Sequence, residues 1–554
     1  MGDEQLTLEY SASPIWYAVQ ALPSMVRTND ISNIGLVYSL MGGAMTQEIV
    51  SRNPAIHDML DEWKDIEPDE WQKRVELNAF LTGTLADETP WVLDRRDDRL
   101  RRLAETLDSA NVDYLTQSAL SKLKDAQLSD GSWPWISGGP SSLYVTDLIL
   151  QCLGLLKENA GFEPGNFNRA VQYLDAEFYK RYDVRDRPET LGYSELNYLM
   201  TRSYFQSTPF KDDTRASYNY FLKLAMQQDT HELGLYFRAQ LALLYARLGK
   251  NDQAGHVVET LLERSLYDDE MGRWWRDNTG GYLWHEAPVE TQSLIIRALL
   301  AVGKSDEADE AARWLLKQKQ TTDWGSSPAT AAAVVALMAA GGNRLLEQTP
   351  DISITVGSNS VVASDSKATG GYVMETWKPV TKDMARVTVD SRSDGISWGA
   401  VYRSFTEEMD KVEPSRTGMT LKRTFWLVRP DGDELVQKRT VLRAGDRVKV
   451  RFELTTDRAM EFLQLIDMRP ATFEPVSTRA GYLYNWADDI AYYVAPGGTR
   501  NVFYIDRLGK GSYIIEYEVT VQKPGQFLAA PAVMQCLYAP QFRATTESST
   551  ITAQ

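Results

Sequence analysis

Ser141-Ser142-Leu143-Tyr144-Val145-Thr146-Asp147-Leu148-Ile149-Leu150-Gln151-Cys152-Leu153-Gly154-Leu155-Leu156 decides how the first half of this chain folds. Leu143, Val145, Leu148, Ile149, Cys152, Leu153 and Leu156 recur at mostly three- and four-residue steps, which places them on one face of a helix. The serine pair ahead of them supplies an N-terminal signal. The pattern returns between Leu233 and Leu248, where Leu233, Tyr236, Phe237, Leu241, Leu244, Tyr245 and Leu248 mark one face. Glu232, just before it, suits the positive end of a helix dipole. Segments 251–265, 288–302, 305–318 and 328–340 read in the same way. The connections are short and carry Gly, Pro, Asn and Asp, so successive helices should pack antiparallel. From about Ala18 to Leu346 this gives about a dozen helices, as many as an α/α toroid of roughly six hairpins uses.

Three loops that precede helices share an aromatic and glycine-rich character. They are Asp130-Gly131-Ser132-Trp133-Pro134-Trp135, Gly280-Gly281-Tyr282-Leu283-Trp284-His285 and Asp323-Trp324-Gly325-Ser326-Ser327-Pro328. Trp133, Trp135, Trp284 and Trp324 therefore admit two readings. As packing residues they wedge between helix ends and hold the ring closed; as functional residues they line an aromatic mouth that binds something.

After Leu346 the period changes. Ile352-Ser353-Ile354-Thr355-Val356 and Val387-Thr388-Val389 alternate, as strands with one buried face do. Stronger strand signals lie at Arg447 to Leu454 and at Tyr513 to Val521. Pro430-Asp431-Gly432 and Gly509-Lys510-Gly511 supply turns, since proline presets φ and glycine tolerates positive φ. The second half reads as antiparallel β-sandwich, so the fold class is multidomain, α then β.

A chain of 554 residues is too long for one core. No apolar run approaches the ~18 residues of a membrane span, and Met1 to Tyr10 has neither the basic nor the apolar region of a signal peptide. The net charge of −17 argues against nucleic acid and against electrostatic adhesion to anionic lipid. Cys152 and Cys536 sit in apolar contexts and read as two buried free thiols. His57, His231, His256 and His285 are scattered without metal-ligand spacing. The sequence assigns no catalytic residue, no cofactor and no metal.

Several stretches, in order, resemble the C-terminal part of the bacterial alpha-2-macroglobulins. Trp16-Tyr17-Ala18-Val19-Gln20-Ala21-Leu22-Pro23 is similar to the start of that family's thioester domain. Gly131 to Trp135, through Gly138-Gly139 and Leu150, resembles its tryptophan-rich loop and the following helix. Gly445-Asp446-Arg447-Val448, Arg469-Pro470-Ala471-Thr472-Phe473-Glu474-Pro475 and Tyr538-Ala539-Pro540-Gln541-Phe542-Arg543 resemble the last macroglobulin-like domain. The resemblance implies a toroid inserted into a small β-domain. Residues 1–12 would be one strand of that domain, 13–347 the toroid, 348–410 the rest of the CUB-like β-domain and 411–554 the C-terminal sandwich.

The family's thioester joins a cysteine to a glutamine three residues on. Its reaction with amines or hydroxyls needs the thiol as leaving group. Counted on from Leu22-Pro23, that motif falls at Ser32-Asn33-Ile34-Gly35, so Ser32 stands for the cysteine and Gly35 for the glutamine. Three residues after Cys152 is Leu155, and three after Cys536 is Ala539, so neither cysteine rebuilds it. The resemblance then implies a protein partner, proteases among the candidates, met through a longer parent in the periplasm or cell envelope. Two readings stay open, a non-covalent protease trap and a structural or binding envelope module. An enzyme is disfavoured: no Asp-x-Asp-Asp acid occurs, Asp94-Arg95-Arg96-Asp97-Asp98 reads as a charged helix start, and Asp488-Asp489 as a solvated loop.

Overall fold

A computed structural model describes residues 2–12, 14–26, 30–52, 63, 103–163, 165–185, 187–211, 213–230, 233–281, 286–319, 323–341, 352–361, 372–392, 397–406 and 413–554. Two compact units emerge. One runs from Gln5 to Ser404; the other comprises Phe405–Gln554 with the first four residues.

Helical hairpins make up most of the first unit. Six helices form a closed inner ring: Asn33–Arg52, Leu143–Asn159, Tyr193–Tyr204, Leu235–Arg247, Pro288–Ala301 and Ser327–Gly341. Each packs on the next, and the last returns to the first. Around them lie Pro14–Val26, Ser109–Asp125, Asn168–Tyr182, Thr214–Met226, Asn251–Leu262 and Ser305–Lys317. Burial explains the division. In Leu143–Asn159 nine residues of seventeen are buried, whereas Asn168–Tyr182 buries one stripe, Ala170, Val171, Leu174, Asp175 and Phe178. A helix buried most of the way round belongs inside, and an amphipathic one outside.

The local signals act as their chemistry dictates. Ser142 caps Leu143–Asn159 by accepting the Val145 N–H at 3.3 Å. The helix foreseen from Leu233 begins at Leu235, because Gly234 takes the extended N-cap conformation. Glu232 and the Asp94–Asp98 run lie outside the described residues.

The same unit holds two three-stranded sheets. In one, Gly2–Ser11 lies between Val373–Trp377 and Trp398–Thr406; in the other, Ile352–Val356 lies between Asn359–Val361 and Val387–Ser391. Leu6 faces Trp377 and Tyr10 faces Val373, antiparallel. Leu6, Leu8 and Tyr10 pack with Ile354, Val356 and Val361 in one apolar core. Strands from opposite ends of this unit therefore meet, with the helical ring between them in sequence. Glu9 is buried in this layer and accepts the hydroxyls of Tyr372 (3.2 Å) and Tyr402 (3.1 Å).

In the second unit Arg447–Thr456 is the central strand, between Met419–Leu427 and Gly511–Val521. Val448, Val450, Phe452 and Leu454 alternate inward and are all buried, as a half-buried strand requires. A six-stranded sheet built on Met460–Met468 and Arg500–Leu508 completes the core, where Phe452 meets Phe503 at 6.3 Å. Pairing is antiparallel throughout except for the short Val441–Leu442 strand, which runs parallel to Ser549–Ala553. Asp488 is tied down more than a solvated loop residue would be. Its Oδ2 accepts the Asn485 amide (3.0 Å) and the Ile514 N–H (2.9 Å).

Arg423 and Asp467 form a buried ion pair in this unit, completed by the Tyr517 hydroxyl and by the carbonyls of Ala529 and Ala530. Arg423→Met would leave the carboxylate without its cation in a dry interior. The expected loss is about 3–5 kcal/mol of stability, read as a lower urea midpoint at unchanged m-value.

Candidate functional site

Ser32 and Gly35 sit at the start of the inner helix Asn33–Arg52. Asp30 Oδ1 accepts the Ser32 N–H at 2.9 Å, closing a tight turn ahead of the helix. The Ser32 hydroxyl oxygen accepts the Gly35 N–H at 3.1 Å, and its carbonyl accepts the Leu36 N–H at 3.0 Å. This is the geometry of an N-cap, in which a serine oxygen satisfies one orphan donor of the first turn. Gly35 is closely covered: a Cβ added there would stand 2.2 Å from the Asp30 carbonyl oxygen and 2.8 Å from the Asp30 Cβ. Any side chain at this position, a glutamine included, requires the Asp30 turn to move.

The neighbouring position connects this site to the first tryptophan loop. The Asn33 backbone N–H donates to the Trp135 carbonyl at 2.7 Å, and the Asn33 amide donates to the Pro134 carbonyl at 2.8 Å. Ser32, Asn33, Trp133 and Trp135 are all buried. Two features far apart in sequence thus form one locus, in which the Trp133–Trp135 segment seals the start of the helix.

Trp133 itself is held at both ends of its polarity. Its indole N–H donates to the Leu123 carbonyl (2.7 Å) in the last turn of the outer helix Ser109–Asp125. Its backbone N–H donates to Thr146 Oγ1 (2.9 Å), the fourth residue of the next inner helix. Trp324 repeats the arrangement: its indole donates to the Leu315 carbonyl (2.8 Å) and its backbone N–H to Thr330 Oγ1 (3.2 Å), again a fourth residue. Trp275, which the sequence reading passed over, is the third case. It is buried, and its indole donates to the Leu261 carbonyl (2.8 Å) at the end of Asn251–Leu262. Thr291, fourth in Pro288–Ala301, has a buried hydroxyl without a partner. Trp284 lies outside the described residues. The signal for Trp275 was its place after an outer helix; it lies in the same connection as Gly280-Gly281, five residues before that pair, where attention fell on Trp284.

Both cysteines are free and buried. Burial pushes each thiol up to about 12, so neither is poised as a thiolate. Among the described residues no group of three His, Cys, Asp or Glu side chains could hold a metal, and no helix is long and apolar enough to cross a membrane.

A ring of helical hairpins, flanked in sequence by strands that pair with one another and followed by antiparallel sheets, defines the class: an α/α toroid with a C-terminal β-region. Residues 418–541 match the family model described as the bacterial alpha-2-macroglobulin MG10 domain, and the chain resembles the C-terminal region of those proteins. Salmonella alpha-2-macroglobulin reacted with methylamine superposes over 100% of this chain and 32% of its own, with TM-score 0.62 and 14% identity. Native Escherichia coli alpha-2-macroglobulin gives 100%, 31%, 0.62 and 11% for the same quantities. The crystal structure of the E. coli protein from domain MG7 to the C-terminus gives 100%, 77%, 0.62 and 11%. The chain spans about a third of the length of the full relatives. Among curated proteins none matches it.

Trp133→Phe keeps an aromatic ring but loses the pyrrole half of the indole with its N–H, leaving the Leu123 carbonyl without its donor; at least about 1–3 kcal/mol should be lost. Trp133→Ala or Trp135→Ala should lose on the order of 3–5 kcal/mol. Thermal unfolding ranks the three variants. An unchanged melting temperature combined with lost partner binding would make the loop a binding mouth instead of a wedge.

Proposed function

We propose that this chain is the C-terminal region of an alpha-2-macroglobulin-like protein that engages proteases without covalent attachment. The observation that carries this reading is the start of the Asn33 helix. Where the family resemblance places a reactive acyl–sulfur pair, a serine accepts the N–H of a glycine that has no room for a side chain. A hydroxyl is a far poorer leaving group than a thiol, and Gly35 has no side-chain carbonyl to supply the acyl group. The covalent step drops out, and shape and binding remain. On this reading the chain is not an enzyme, its partner is a protein met through the longer parent, and the parent works in the periplasm or cell envelope. The four-part division at 12, 347 and 410 belongs to the same proposal.

Methylamine tests the chemistry directly. The expected result is no change in intact mass, in contrast to the Salmonella relative, whose structure was determined after reaction with methylamine. One added methylamine per chain overturns the proposal. The trapping step is tested on the full-length parent with a panel of proteases. A trapped protease keeps cleaving a small peptide and loses a large protein substrate. If both activities persist, the protein is a structural or binding module that has kept the fold.

A further inference from the structure

The six-stranded sheet of the second unit has two edges, and they are finished differently. At one end Ala539–Thr545 is covered. The Thr417 N–H donates to the Arg543 carbonyl (2.9 Å), the Thr545 N–H donates to the Ser415 carbonyl (3.0 Å), and Arg416 is bridged to Ala544. At the other end Gly481–Asn485 pairs with Ile490–Pro496 and, among the described residues, with no strand beyond it. In the five-stranded sheet both edges are short: Glu434–Leu435 has two residues, and Phe473–Pro475 has three and ends in proline. Such devices, or charge, or a bulge, ordinarily protect an edge, because its free N–H and C=O groups template another strand. Gly481-Tyr482-Leu483-Tyr484-Asn485 has no proline, no charge and a regular register.

This unprotected edge also displays apolar surface. Leu483 is 50% exposed, and Trp486, in the turn that follows, is 86% exposed. That turn is held in place by its own polar groups. Asn485 Oδ1 accepts the Ala487 N–H (3.0 Å), the Asn485 amide donates to the Ile514 carbonyl (3.0 Å), and the Tyr484 hydroxyl donates to Asp489 Oδ1. The Trp486 ring meets the Tyr484 ring edge-on at 4.4 Å. A tryptophan presented on a fixed turn has little freedom left to lose when it is covered, which is what makes such residues anchors of interfaces.

Charge decides what covers it. Arg479, two residues before the strand, is exposed and has no ion-pair partner among the described residues. Asp488 and Asp489, just past Trp486, likewise have no cation there. The strand therefore has a positive end and a negative end, and its centre, Tyr482-Leu483-Tyr484, reads the same in both directions. A basic strand from another protein would match the aspartates and repel Arg479; an acidic one would do the reverse. An antiparallel copy of this same strand matches both ends at once.

We propose that Gly481–Asn485 pairs antiparallel with the same strand of a second copy of this chain, about a two-fold axis through Leu483. Tyr482 then faces the partner's Tyr484 on one face of the joined sheet, and Leu483 faces the partner's Leu483 on the other. Arg479 comes alongside the partner's Trp486 and the partner's Asp488, which offer its guanidinium a ring face and a carboxylate. The contact is isologous, so each of these pairings occurs twice and the assembly closes at two copies. The net charge of −17 opposes association at long range. At about 0.15 M salt that repulsion is screened beyond about 8 Å, and the local pairs remain.

Sedimentation equilibrium of the whole chain at that salt tests the pairing. The weight-average mass should rise from that of one chain towards that of two between about 1 and 100 µM, the weak association expected of a small interface. Leu483→Lys sets like charges against each other on the axis, and Arg479→Glu sets a carboxylate beside the partner's Asp488. Each should weaken association at least about tenfold and leave the circular-dichroism spectrum unchanged, since both side chains are exposed in the single chain. Leu483→Cys should form a disulfide between copies under mild oxidation, because facing Cα atoms of an antiparallel pair stand about 4.5–5.5 Å apart. Both native cysteines are buried, and Leu528→Cys, at an exposed position on another sheet, should not cross-link. A wild type that remains single at about 100 µM overturns the proposal and leaves this edge to a different chain. So does association that survives Leu483→Lys, or Leu483→Cys that cross-links no faster than Leu528→Cys.

Discussion

The helical unit depends on how an outer helix turns back into the next inner one, and a buried indole fixes that turn. The last carbonyls of a helix have no partner in their own ladder, and burial makes that costly. Trp133, Trp275 and Trp324 each donate an N–H to such a carbonyl, at Leu123, Leu261 and Leu315. At the same time each ring fills the wedge between helix ends with apolar surface. In two of the three cases the backbone N–H of the same tryptophan is held by a threonine in the first turns of the next helix. One residue thereby fixes the end of one helix, the start of another and the space between them. That unit fixes three of the six turns into the inner ring, which closes where Ser327–Gly341 packs on Asn33–Arg52.

The start of the Asn33 helix uses the same economy for a different end. Ser32 and Asn33 meet all the requirements of a buried helix start: a side-chain cap, a turn closed by Asp30, and donors matched to the carbonyls of the Trp133–Trp135 segment. A cysteine would cap poorly, since sulfur is a weak acceptor, and a glutamine at 35 would force the Asp30 turn open. Ser32 and Gly35 are therefore the residues that make this helix start well satisfied. The remaining orphan is Asn33 Oδ1, buried without a partner.

Much of this architecture is legible in the sequence because periodicity reports burial. The three- and four-residue spacing from Leu143 to Leu156 and the alternation from Arg447 to Leu454 come out as a helix of the inner ring and the central strand of a sheet. The pairing of Leu6–Tyr10 with Val373–Trp377 is not legible that way, since no local pattern joins residues so far apart; the family resemblance assigned residues 1–12 and 348–410 to one β-domain without giving a pairing. The tryptophan loops were conspicuous for their glycines, yet the repeated feature is an indole at a fixed place between helices. Glycine marks where the chain turns tightly, whereas Trp275 does its packing in a longer loop. Asn33 and Trp135 could not be brought together from sequence at all, because the contact is made to backbone carbonyls, which leave no compositional trace.

The third repeat departs from the other two where the chain is longest. Trp133 precedes its threonine by thirteen residues and Trp324 by six, and in both the backbone N–H reaches the hydroxyl. Thr291 lies farther from Trp275, and its hydroxyl is left unpaired. The indole contact survives this lengthening because it is made backwards, to the helix already completed; the threonine contact does not, because it depends on the loop ahead. Pro288–Ala301 therefore lacks the threonine contact that holds the starts of Leu143–Asn159 and Ser327–Gly341.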